Sequence, residues 1–140
     1  MIKSMNYAIK AEVKDPGAEW ITFTSRKTMY GGKDIAAGDT IFIFASENEG
    51  GRGLVARGIV VSVEAIPSIP GIARQTPRVS ITVQRTAAAK RSLGRSELKP
   101  FSNWNDRRPE TELNFKFYRQ ATDKIVGITE LTASFLKEFF

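Results

Sequence analysis

Gly38-Asp39-Thr40-Ile41-Phe42-Ile43-Phe44-Ala45 is the stretch on which the fold turns. Gly-Asp is a turn signal, and the six residues after it are β-branched, aromatic or small, with no polar face. Six residues suits a strand better than a helix. A strand apolar on both faces must be covered on both, so it predicts a central strand or one wall of a closed barrel.

Reading outward from it, Glu49-Gly50-Gly51-Arg52-Gly53 is a hairpin loop leading into a long strand over 54–66, where Gly58 suggests a bulge or barrel bend. Pro67, Pro70, Gly71 and Pro77 mark the next loop. Residues 78–86 alternate cleanly: Val79, Ile81 and Val83 face one way, and Arg78, Ser80, Thr82 and Gln84 the other. That is a half-buried strand. Towards the N-terminus, 6–13 reads as a first strand ended by Asp15-Pro16-Gly17, and 20–23 as a short extended piece. Residues 24–33 read as a polar, basic stretch broken by Gly31-Gly32.

Towards the C-terminus, 87–100 is basic and suits a short helix, and 101–111 is a polar loop holding Trp104. Residues 113–119 alternate, with Leu113, Phe115 and Phe117 on one face, which predicts a strand. Ala121-Thr122-Asp123 turns the chain into 124–128. A final helix starts at Glu130 with Thr129 as N-cap, and Leu131, Phe135, Leu136, Phe139 and Phe140 form its apolar stripe. Residues 1–140 show no repeat and no boundary. The fold class expected is α+β, one domain built as a small β-barrel of five or six strands with flanking helices, including a C-terminal helix.

Composition narrows the chemistry. The chain has 41% apolar and 26% charged residues, no cysteine and no histidine. Disulfides and thiol chemistry are excluded, and so are the Ser-His-Asp and Cys-His nucleophile systems. The two commonest zinc ligands are missing, so no metal site and no cofactor is expected. No apolar run reaches the roughly 20 residues of a membrane helix, and Met1-Ile2-Lys3-Ser4 opens no apolar signal region. A soluble, cytoplasmic chain with no membrane contact is the expectation.

The net charge is +6, and it is unevenly placed. Residues 1–69 balance eight Lys/Arg against eight Asp/Glu, whereas 70–124 carry twelve against five. An excess confined to one stretch fits a face that meets a polyanion; a solubility charge spread over separate loops is the alternative. Within it, Trp104-Asn105-Asp106-Arg107-Arg108 combines a stacking ring, hydrogen-bonding amides and two phosphate-seeking guanidiniums. Trp104 alternatively plugs an open end of the barrel. Other motifs carry less. Ser96-Glu97-Leu98-Lys99 matches the S-x-x-K of penicillin-recognising enzymes without their further motifs. Gly31-Gly32-Lys33-Asp34 lacks the spacing of a phosphate loop. Gly50-Gly51-Arg52-Gly53 hints at an RNA-binding Arg-Gly-Gly segment, but one copy between strands reads as a turn.

Three segments together resemble EVE domains of the PUA-like superfamily: Tyr7-Ala8-Ile9-Lys10-Ala11-Glu12, then Gly38 to Ser46, then Gly58-Ile59-Val60-Val61-Ser62-Val63. The departures are Ala8, where the family carries Trp, and Val13, where its Glu-Pro ends. The resemblance implies a PUA-like barrel with a cleft for one flipped nucleobase, as in readers of modified bases such as EVE and YTH domains. By position it places Ser25, Arg26, Lys27, Ser46 and Asn48 in that cleft, with Trp20 or Trp104 supplying the missing ring. DNA or RNA is the partner it implies, and the oligomeric state stays open. The related ASCH branch, some of whose members hydrolyse acylated nucleosides, would instead cast Thr24, Lys27 and Glu47 as catalytic residues. A protein-interaction module without nucleic acid is the third reading.

Overall fold

The computed structural model describes residues 6–120 and 123–140, with Gln120 by its backbone alone. The strands are β1 (Asn6–Ala11), β2 (Trp20–Met29), β3 (Thr40–Ala45), β4 (Gly53–Ile66) and β5 (Arg78–Ala88). Helices α1 (Arg95–Leu98) and α2 (Pro109–Phe115) follow, α2 running on as a π-turn over Lys116–Gln120, and then β6 (Ile125–Ile128) and α3 (Glu130–Lys137). The six strands close a barrel in the order β1-β3-β4-β5-β2-β6. As expected, β3, β4 and β5 are antiparallel neighbours.

The doubly apolar character of β3 has a two-layer cause. Ile41 and Ile43 point into the barrel with Tyr7, Ile9, Phe23, Val79, Ile81 and Val83. Phe42 and Phe44 point outward into a second core with Val126, Leu98, Leu113, Phe117 and Leu136. The wall β6-β1-β3 is therefore covered outside by the helices, whereas β5 shows water the polar outer face its alternation predicts. Gly58 stands at a register shift between β4 and β5, and any Cβ there would run into Val83 and the backbone of Gln84.

Three expectations need correction. Residues 113–119 are not a strand. Leu113 and Phe117 satisfy the helical i, i+4 spacing as well as alternation, and both are fully buried. Pro109 at the first helical position and Glu110 and Glu112 in the first turn decide for a helix, since fixed φ and negative charge both suit a helix start. The extended piece expected over 20–23 is not short: it runs on through the polar, basic stretch to Met29 as one strand, β2. Leu131 does not belong to the buried stripe of α3 and is 61% exposed; Thr132, Ala133, Leu136 and Phe139 face inward. Part of the turn expected at 121–123 lies outside the described residues.

Glu112 ties α2 to β6 and α3. Its carboxylate accepts from the Thr129 N–H (3.1 Å) and Oγ1 (2.7 Å), from Thr132 Oγ1 (2.7 Å) and from Lys116 Nζ (2.9 Å). Burial alone would raise its pKa, but the hydrogen bonds from Thr132, Lys116 and Thr129 and the Lys116 charge prevail and hold it below the usual carboxylate range. A depressed carboxylate stabilises the fold above its unfolded pKa, about 4.3, and that stability is lost as pH falls through the folded value. Denaturant titrations are therefore expected to show wild type losing more stability than Glu112→Gln on acidification below about pH 4.3. Parallel losses in the two proteins would contradict this.

Candidate nucleic-acid interface

Barrel closure is uneven. On one side Trp20–Phe23 of β2 pair with Gln84–Ile81 of β5. On the other, β2 meets β6 through Thr28 and Met29 alone. Along residues 20–26 the second edge of β2 thus has no strand partner among the described residues, and the chain leaving β1 runs beside it. Between them lies a slit of about 410 Å³, bordered by Glu12, Lys14 and Asp15 on one side and by Trp20, Phe23 and Arg26 on the other.

A β-bulge aims Arg26. Phe23 pairs with Ile81 and Arg26 with Val79, so β2 carries one extra residue there, and Ser25 takes a left-handed φ of 50°. The Ser25 N–H donates to Ser80 Oγ (2.8 Å), and its carbonyl accepts from Arg78 (2.9 Å), which fixes the kink. Bulges of this kind re-aim a side chain beside a site. The Arg26 guanidinium lies 6.0 Å from the Phe23 ring centroid, and its Nε is buried without a hydrogen-bond partner. A buried donor left unsatisfied costs about 1–3 kcal/mol. Trp20 is 52% exposed at the slit. Flat rings, one orphan donor and two carboxylates in a small cleft suit a planar heteroaromatic ligand.

Beyond the ends of β1 and β3 stands a second polar cluster, on the outer face beneath the helices. Lys10 is fully buried, with Nζ 4.3 Å from the Tyr118 ring centroid and no hydrogen-bond partner. Tyr118 donates to both Glu47 carboxylate oxygens (3.0 and 2.9 Å), the Arg95 N–H donates to Glu47 (2.7 Å), and the Arg95 side chain donates to Asn48 (3.1 Å). Burial, with Arg95, lowers the Lys10 pKa against the opposing pull of Glu47 and Asp123. Burial, then Glu47, drives the Tyr118 phenol above its ordinary value.

The predicted site residues are thus divided. Trp20 and Arg26 border the slit, and Ser25 shapes it. Ser46 is buried at the end of β3, its N–H donating to the Ala11 carbonyl, and Asn48 is engaged by Arg95. Lys27 and Thr24 are exposed on β2, which adjoins β5 and β6 and not β3. Thr24, Lys27 and Glu47 are not brought together, and Glu47 is committed to Tyr118 and Arg95. Trp104 neither plugs the barrel nor borders the slit: it packs on Phe115 (5.3 Å between centroids) of the helical layer under the Arg119 guanidinium, 38% exposed. Arg107, Arg108 and Asn105 are exposed around it. Of the twelve basic residues in 70–124, Arg78, Arg85, Arg91, Arg95 and Lys116 serve acceptors within the chain. Sequence reasoning missed Glu12 and Lys10. Lys10 was signalled by its place in β1, where it shares the outer face with Ala8. No group of three metal-binding side chains occurs among the described residues, and no helix there is long and apolar enough to cross a membrane.

No family model and no curated protein matches the chain. Solved structures do. Human THYN1 protein in complex with 5-methylcytosine-containing DNA superposes with a TM-score of 0.64 at 16% identity, over 96% of each chain. The DUF55 domain of human thymocyte nuclear protein 1 gives 0.65 at 15% identity, over 95% of this chain and 96% of that one. A hypothetical protein from Leishmania major gives 0.63 at 13%, over 97% and 94%. The chain shares the fold of these structures, six strands closed on themselves with helices over one wall.

Proposed function

We propose that this protein is a nucleic-acid-binding module that receives one extruded base, a modified cytosine, in the slit beside β2. The observation that carries this is the orphan Nε of Arg26 in a cleft that also offers Trp20, Phe23 and Glu12. A cytosine presents an amino donor and ring acceptors on one edge. A carboxylate is the natural acceptor for the amino group and a guanidinium the natural donor to the acceptors. Glu12 or Asp15 and Arg26 supply these, and Trp20 supplies a stacking face. The likeness to a barrel solved with 5-methylcytosine DNA supports the same ligand class. A 5-methyl group meets apolar wall at Val13 and Phe23, and one buried methyl contributes about 0.8 kcal/mol, or roughly fourfold in affinity. Outside the slit, Arg107 and Arg108, with the exposed part of Trp104, form a second surface for flanking strand.

Fluorescence-polarisation titrations with short single strands, DNA and RNA, carrying one cytosine or one 5-methylcytosine test the reading. Wild type is expected to prefer the methylated strand roughly fourfold. Trp20→Ala should cost about 1–3 kcal/mol on either strand with little change in salt slope, and Arg26→Leu should weaken both strands alike. Both variants binding as wild type would contradict the slit as the base site.

On the helical layer, Arg107→Ala with Arg108→Ala should weaken all strands equally and flatten the log–log salt slope by about 0.7 per lost contact. An unchanged slope removes that surface from the interface.

A further inference from the structure

A second cleft, of about 350 Å³, lies across the 15–18 segment from the slit: Asp15 and Ala18 border the slit, while Pro16 and Gly17 border the second cleft. Its other walls come from the β3–β4 turn at Arg52 and from Lys90, Arg91 and Ser92 beyond β5. The two clefts differ in kind. The slit mixes Glu12 and Asp15 with Lys14 and Arg26, whereas three cations and no carboxylate border the second. The Arg91 side chain donates to the Glu138 carbonyl (3.1 Å) and lies over the Phe139 ring. The Arg52 and Lys90 side chains have no hydrogen-bond or ion-pair partner among the described residues.

The cleft is built, not incidental. Gly53 adopts a φ of 85°, which only glycine takes without strain, and a Cβ there would overlap the Leu93 carbonyl and Gly94. The Leu54 N–H donates to the Leu93 carbonyl (2.8 Å), joining the turn that carries Arg52 to the segment that carries Lys90–Ser92. The dividing segment is clamped as well. Arg85 donates to the carbonyls of Ala18 (3.1 Å) and Gly17 (3.0 Å), and the Asp15 carboxylate accepts from the Gly17 N–H (3.1 Å). The Gly-Arg-Gly turn therefore holds the Arg52 backbone at the cleft, one loop-width from the base slit.

We propose that this cleft is a phosphate site, in which Arg52 and Lys90 hold the phosphodiester adjoining the base in the slit; it rests on the function proposed above. Strongly hydrogen-bonding cations without a carboxylate suit a phosphate oxyanion, and the clamped 15–18 segment would pass between base and phosphate.

The test uses the full chain and single-stranded 5-methylcytosine oligonucleotides, either all-phosphodiester or with one uncharged methylphosphonate linkage next to the methylated base. Arg52→Ala with Lys90→Ala is expected to weaken methylated and unmethylated strands by the same factor and to flatten the log–log salt slope by about 0.7 per lost contact. Arg52→Lys should keep most of the slope. Both side chains are exposed, so the thermal midpoint should not move. The methylphosphonate should weaken wild type and leave the double variant nearly unaffected. An unchanged slope in the double variant, or losses that simply add, would overturn the proposal. If wild type ignores methylation while the Arg52 and Lys90 effects persist, the base reading fails and the phosphate site stands. No binding of either strand ends both.

Discussion

The seam between β2 and β6 is the constraint from which the rest follows. A barrel removes sheet edges by closing on itself, yet this one closes across two residue pairs, Thr28 with Ile125 and Met29 with Val126. Upstream of that seam the edge of β2 is left without a strand, and backbone donors and acceptors along such an edge seek partners. The chain covers it with the irregular 12–18 segment. Val13 and Ala18 pack against the barrel core, and Arg85 holds the carbonyls at Gly17 and Ala18. A loop in place of a strand leaves room, and the slit is that room. The bulge at Ser25 then turns Arg26 into it.

The opposite wall has the reverse economy. There β6, β1 and β3 are apolar outward as well as inward, and three helices seal them. Burying a charge is costly unless partners surround it. Lys10 is held over the Tyr118 ring beside a Glu47 already bonded to Tyr118 and Arg95, so the charges of this cluster serve the joint between wall and helices. That commitment removes Glu47 and Asn48 from the cleft and leaves the open side of the barrel along β2 as the face proposed for recognition.

Much of this was legible in the residues. The β3–β4–β5 meander follows from one doubly apolar run, one glycine-bent strand and one clean alternation, because sheet periodicity reports burial directly. The final helix follows from Thr129 and its capping geometry. What misled was degeneracy: Leu113, Phe115 and Phe117 fit two periods, and only Pro109 and the acidic first turn separate them. In the site, Trp20 and Arg26 were legible, whereas Glu12 and the second cleft were not. Their place depends on which strands fail to pair, and on a loop clamped by an arginine 67 residues away, neither of which leaves a local pattern. The packing partners of Trp104, Phe115 and Arg119, lie beyond its polar loop and left no local signal.

The central claim is that a base enters the slit along the unpaired edge of β2. Nuclear magnetic resonance of the isotope-labelled protein with a strand carrying ¹³C-methyl 5-methylcytosine tests it directly. The account predicts nuclear Overhauser contacts from that methyl to the Phe23 and Trp20 rings, with amide shifts concentrated at residues 12–15 and 20–26. Contacts from the methyl to the helical layer around Trp104, with the slit amides unmoved, would contradict it.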